Sequence, residues 1–264
     1  MLPYHELEDL LNNKFEQFNE VGFIKDDPIS IPRSFKKKED IEISGFFASI
    51  LAWGQRKTII NKCNALFELM DNSPFDFIMN HEEHDLKRFE SFKHRTFNST
   101  DTLYFIEAIK VLYTHHGGLQ GAFSKGLTSS DKNVKNAISN FQKTFFSLED
   151  YPQRTRKHVT SPLSNSACKR INMYLRWMVR KDEKGVDFGL WNTIHTSQLV
   201  CPCDVHVERV AKKLGLATIP KVNWKMAEEI TDNLKQFDPE DPVKYDFALF
   251  GLGIEKYFDI GYNG

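Results

Sequence analysis

The chain has 264 residues, 41% of them hydrophobic and 27% charged, and its 35 Lys and Arg nearly balance its 36 Asp and Glu. A net charge of −1 argues against general coating of nucleic acid. No apolar run is long enough to span a bilayer, and four cysteines (Cys63, Cys168, Cys201, Cys203) are too few and too clustered for a disulfide framework. The expected home is a reducing cytoplasm, with no membrane partner. "MLPYHELEDLLNN" lacks the basic and apolar regions of a secretory leader, so none is expected.

The pattern predicts an all-α protein, because apolar residues recur at helical spacing and alternating strand patterns are scarce. Residues 4 to 21 are amphipathic through Leu7, Leu10, Leu11, Phe15 and Phe18. Pro28 and Pro32 break the next stretch, which ends in Lys36, Lys37 and Lys38 and reads as a solvated linker. A strongly apolar helix is predicted from Asp40, and a second after Thr58. Ser73 before Pro74 marks a helix start, and Gly117 and Gly118 close the helix that begins after "NST". "FKHRTFN" (92 to 98) sets three basic residues between two phenylalanines, either as a contact for phosphate or base or as a loop anchored by Phe92 and Phe97. Further on, Asp204 is an expected N-cap, with Val207, Val210, Ala211 and Leu214 as the buried stripe and Gly215 as the stop. Asp241 is an expected N-cap with Pro242 in the first helical position.

One stretch departs from the even charge of the rest. Residues 151 to 181 hold eight Lys and Arg and no acid. Laid out at about 100° per residue, the helix after Cys168 turns Ile171, Tyr174, Leu175 and Met178 to one side. Lys169, Met173, Arg176 and Arg180 fall on the other, as a solvated face or a surface for phosphate. Lys169 follows a turn of small residues, "SNSAC", and Asp204 follows a proline-containing turn 35 positions later. Brought together, a lysine amine attacks an electrophilic carbon while a carboxylate steadies the developing cation or moves protons.

"SNSACKRIN" and "CPCDVHVERVAKKLGL" together resemble the hairpin and the aspartate segment of the helix-hairpin-helix (HhH-GPD) DNA glycosylases, and "GFFASILAWGQRKTIINKC" is similar to their early helix and DNA-facing loop. The lysine-to-aspartate spacing is most like the archaeal 8-oxoguanine glycosylase branch. "DPVKYDFALFGLG" also looks like a bacterial family allied to it. The resemblance covers roughly residues 26 to 256. It implies a two-lobed fold with the active-site cleft between lobes. Residues 1–45 would pack with a C-terminal lobe of 196–264, and 46–195 would form a helical-bundle lobe that includes the hairpin.

By the resemblance, Lys169 is the Schiff-base nucleophile and Asp204 the catalytic aspartate. Gln55, with Arg56 and Lys57, meets DNA and fills the gap left by an extruded base. Arg170, Arg176 and Arg180 neutralise phosphates, and Trp53 and His206 are candidates for the base pocket. The implied partner is double-stranded DNA carrying a damaged base, and the protein is expected to act as a monomer. The family's hairpin is glycine-rich, but "LSNSA" has no glycine, which leaves Ser164, Asn165 and Ser166 as the expected donors. No cysteine follows Cys203, so no iron–sulfur cluster is expected, and no metal or cofactor is implied.

Other readings carry weight. Taken alone, Lys169 reads as a solvated lysine and Asp204 as an ordinary cap. Cys201, Cys203 and His206 lack a common zinc spacing and fit a helix start with buried thiols. Trp177 reads as core. A non-catalytic binder of nucleic acid that keeps the fold, and an all-helical interaction protein, are the alternative functions.

Overall fold

The structure, a computed structural model, describes residues 2–258. The chain folds into two units by its internal packing. One takes the chain up to Phe23, the strap Ser129–Val134, and everything from Ser161 onward. The other takes Ile24–Thr128 and Lys135–Thr160.

The first unit begins with α1 (Tyr4–Phe18), whose i, i+4 spacing buries Leu7, Leu11 and Phe18. The second unit follows with α2 (Lys38–Leu51), α3 (Arg56–Glu68) and α4 (Pro74–Asn80). A minimal antiparallel hairpin, β1 (Lys93–His94) and β2 (Phe97–Asn98), then leads into α5 (Ser99–His115), α6 (Gly118–Ser124) and α7 (Lys135–Phe145). Returning to the first unit, the chain forms α8 (Lys169–Val179), α9 (Val205–Lys213), α10 (Trp224–Leu234) and α11 (Asp246–Ile254). Almost all regular structure is helical, as the spacing of apolar residues predicts. No helix among the described residues is long and apolar enough to cross a membrane.

The phenylalanine-rich composition is a core property. In the second unit Phe46 meets Phe105, Phe141 and Phe145, and Phe123 stacks on Phe141 with ring centroids 3.7 Å apart. Every residue of α2 from Ile41 to Leu51 is buried, as a helix hydrophobic on all sides requires. The preceding lysines are partly paired. Lys37 bonds Asp76 at 3.0 Å and Lys38 lies 3.7 Å from Glu42. Phe92 and Phe97 are both buried and anchor the hairpin.

In the first unit α1 packs on α11 so closely that a Cβ at Gly251 would collide with the Phe18 ring. The same unit holds its strap through Val134 N–H to Gln198 O (3.0 Å), Gln198 Nε2 to Asp131 O (3.0 Å) and the Lys132–Asp232 pair (2.7 Å). Asp241 stands at an N-cap position with Pro242 in the first turn, as expected, but the helix is a 3-10 turn, Pro242–Tyr245, before α11 starts at Asp246, and the Asp241 side chain makes no capping bond. The Asp241 carboxylate instead accepts from Arg180 Nε at 2.8 Å.

Candidate active site

The turn before α8 is built without glycine. Pro162–Ser164 forms a 3-10 turn, and then Asn165 (φ 58°) and Cys168 (φ 50°) take the left-handed conformation. Asparagine tolerates that region because its short polar side chain bonds locally. Cys168 is held there by its surroundings: it is 2% exposed, and its N–H donates to Ser166 Oγ at 3.1 Å. Asn172 Nδ2 donates to Ala167 O at 3.0 Å from the first turn of the helix. Ser164 donates its hydroxyl to Ser161 O at 2.7 Å. Both serines thus help to shape the turn, Ser164 as a donor and Ser166 as an acceptor. The Asn165 side chain stays exposed.

That turn delivers Lys169 at the head of α8. Its Nζ lies 4.0 Å from Asp204 Oδ2 and 3.7 Å from Met173 Sδ. Both charged side chains are about a third exposed, at 34% and 35%. Asp204 has two tasks at once. Its Oδ1 accepts from His206 N (2.9 Å) and Val207 N (3.1 Å), which caps α9. With Oδ1 held, Oδ2 is fixed toward Lys169. The pair thus spans 35 residues and is set by two helix starts that face each other within one unit. The His206 side chain is exposed, and the residue meets Asp204 through its backbone N–H.

Arg170 follows on the first turn of α8 and is half-buried. The structure corrects the expectation for Arg176 and Arg180. Residues 171 to 180 are all buried, so α8 has no solvated cationic face beyond its first turn. Arg176 pairs with Asp187 at 3.3 Å and makes a short contact with Asp246. Arg180 pairs with Asp182 (2.7 Å), Asp187 (3.1 Å) and Asp241 (2.8 Å). Four carboxylates thus enclose two guanidiniums. Within the acid-free stretch 151 to 181, Arg176 and Arg180 thus find their partners in 182 to 187 and 241 to 246. These arginines hold the fold and are not phosphate contacts.

Asp246 is the residue the sequence reading missed. Burial pushes its carboxyl up to about 6, against the pull of the Arg176 and Lys169 cations and with a further push from Asp204. Lys169, Asp204 and Asp246 therefore share one electrostatic site. The available signal was an aspartate alone inside the apolar run "YDFALFGLG". Burial is also what keeps Cys201 and Cys203 protonated, the second pushed up to about 12. Among the described residues no group of three His, Cys, Asp or Glu is arranged to hold a metal ion.

The remaining candidates lie in the other unit. Trp53 is half-buried at the end of α2, with its ring 5.9 Å from that of His158 and 6.3 Å from that of His94. Gln55 is the exposed N-cap residue of α3, and its side chain makes no capping bond. Lys57 is exposed and Arg56 half-buried. Trp177 is 0% exposed and belongs to the core of the first unit.

The chain belongs to the DUF2400 family, described as a protein family of unknown function, whose model matches residues 27–255. Comparison with curated proteins finds no match, and comparison with solved structures finds none either.

Proposed function

We propose that this protein is a helix-hairpin-helix DNA glycosylase that removes an oxidised purine of the 8-oxoguanine kind through a Schiff base on Lys169. The observation that carries the reading is the Lys169–Asp204 pair, 4.0 Å apart and a third exposed at the head of α8, behind a turn held in left-handed conformation. The Lys169 amine, its proton lost to water, attacks C1′ of the damaged nucleotide. The C1′–N bond breaks, and its electron pair leaves on the base, which takes up a proton. The Asp204 carboxylate steadies the positive charge that develops at C1′. Ring opening then yields the imine, and loss of a C2′ proton from that imine breaks the C3′–O bond and expels the 3′ phosphate, which is the lyase step. In this reading Gln55, Arg56 and Lys57 meet the duplex, with the uncommitted Gln55 side chain filling the vacated stack. The protein acts as a cytoplasmic monomer on double-stranded DNA.

Borohydride trapping tests this. Duplexes carrying 8-oxoguanine, uracil or an abasic site are mixed with the wild type, Lys169→Gln and Asp204→Asn. The expected result is an adduct on the 8-oxoguanine duplex that is absent in Lys169→Gln and formed about 10²-fold more slowly in Asp204→Asn, which keeps the cap and loses the charge. An adduct that persists in Lys169→Gln refutes the assignment. The glycine-free turn, with the Ser164 hydroxyl committed to Ser161, favours a second reading: a non-catalytic binder of nucleic acid. That reading requires duplex binding unchanged in Lys169→Gln and no adduct on any lesion.

A further inference from the structure

Three stretches of the second unit contain no acidic residue: 52–64, 91–100 and 151–160. Together they carry eight Lys and Arg. They are far apart in sequence, yet the fold ties them to one place. The His94 ring lies beside the backbone of Leu51 and Trp53. Trp53 packs on His158, and His158 meets Phe97 with centroids 5.0 Å apart. Arg154 Nη2 donates to Thr96 O at 2.8 Å, across the tip of the hairpin. The Arg95 guanidinium lies 6.0 Å from the Trp53 ring centroid and against Gly54, where a Cβ would come within 2.7 Å of Nη1. Gly54 has φ +110°, so only glycine fits this close approach without strain.

Elsewhere in the unit Lys37, Lys38 and Arg88 have carboxylates within 4 Å. Among the described residues, Lys57, Lys62, Lys93 and Arg95 have none, and Lys57, Lys93 and Arg95 are exposed. Asp101, which follows the hairpin, is buried and already engaged by Thr155, His158 and Arg154. Burial chiefly keeps His94 from protonating, and the fields of Arg95 and Lys62 act in the same direction. Arg95 itself sits at φ 56°, a left-handed position that a long side chain rarely adopts. An arginine held there, unpaired, beside an aromatic ring, is suited to a ligand that supplies negative charge.

We propose that the hairpin tip Lys93–Asn98, with Lys57, Lys62 and the 154–157 segment, is a binding surface for the phosphate backbone of nucleic acid. It adds to the Lys169 site a second, sequence-independent contact, and it rests on the reading of the protein as a DNA enzyme. Lys57, Lys62, Lys93 and Arg95 meet phosphates in place of carboxylates, with release of counterions.

The test is fluorescence anisotropy on the full chain with a labelled duplex of about 20 base pairs, titrated from about 50 to about 300 mM KCl. The variants are Lys62→Gln/Lys93→Gln/Arg95→Gln and a control, Lys87→Gln/Lys143→Gln, made at exposed lysines of the same unit away from the hairpin. The expected result is a salt slope shallower by about 2 to 3 in the triple variant, with roughly tenfold weaker binding per lost contact near 0.1 M salt, and no change in the control. Thermal melts check that the triple variant is folded. A wild type that binds the duplex with the same slope as the triple variant overturns the proposal, and the Lys169 reading then stands or falls on trapping alone. Binding to phosphatidylserine vesicles in place of the duplex overturns it as well. No binding to the duplex at all overturns both this surface and the DNA reading.

Discussion

Asp204 and Asp246 are two carboxylates with opposite surroundings. Asp204 is a third exposed and accepts from two backbone N–H groups through one oxygen. Asp246 is buried, and desolvation raises it to about 6 despite Arg176 and Lys169. Between about pH 4 and 6 the folded protein therefore holds a proton that the unfolded chain has released. The stabilisation from that proton is complete below the unfolded value and is lost as pH rises through about 6. Asp246→Asn should flatten the fall in stability over that window, by up to about 1.4 kcal/mol per pH unit. Urea denaturation at several pH values reads this directly, and an unaltered slope would show that Asp246 does not carry the proton. Asp187 and Asp241 are also raised by burial, so part of the slope remains in the variant.

At the scale of elements, α8 shows how far helical periodicity reaches. The 100° layout finds the buried side of Ile171, Tyr174, Leu175 and Met178, all of which are core. It also puts Arg176 and Arg180 on the opposite side, which is correct as geometry. Periodicity does not say what covers that side. Here the cover is a set of aspartates from 182–187 and 241–246, so the second face is buried too. Removing one partner of a buried ion pair strands the others. Arg180→Ala leaves Asp241 without its main counter-charge and Asp187 with Arg176 alone, and should cost about 3–5 kcal/mol. Chemical denaturation measures that loss. Were Arg180 a phosphate contact, stability would hold and the salt dependence of duplex binding would fall instead. The hairpin of the second unit was legible only as a string, "FKHRTFN", because two-residue strands leave no alternating pattern.

At the scale of the molecule, the unit that carries Lys169 is assembled from three stretches of chain. Its first helix, α1, lies more than 140 residues from Lys169 in sequence, yet it packs on α11, the helix that carries Asp246. Deleting residues 2–20 removes Leu7, Leu11 and Phe18 from that packing. At about 1.5–3 kcal/mol for each buried apolar side chain, the loss is comparable with the whole stability of a domain. The truncated chain should expose residues 161 to 258 to limited proteolysis, and protection equal to that of the full chain would contradict the assembly.

The amino-acid sequence by itself determined the helical class, most helix positions, the turn before Lys169 and the cap at Asp204. These follow from local rules, namely apolar spacing, capping side chains and the positions of glycine and proline. Only the tertiary structure decided which charges meet. It brought Lys169 within 4.0 Å of Asp204, buried Asp246 beside them, enclosed Arg176 and Arg180 in carboxylates and left Lys93 and Arg95 without acids. The reason is that burial and pairing depend on residues distant in sequence. A run of cations looks the same along the chain whether water, carboxylate or phosphate lies opposite it.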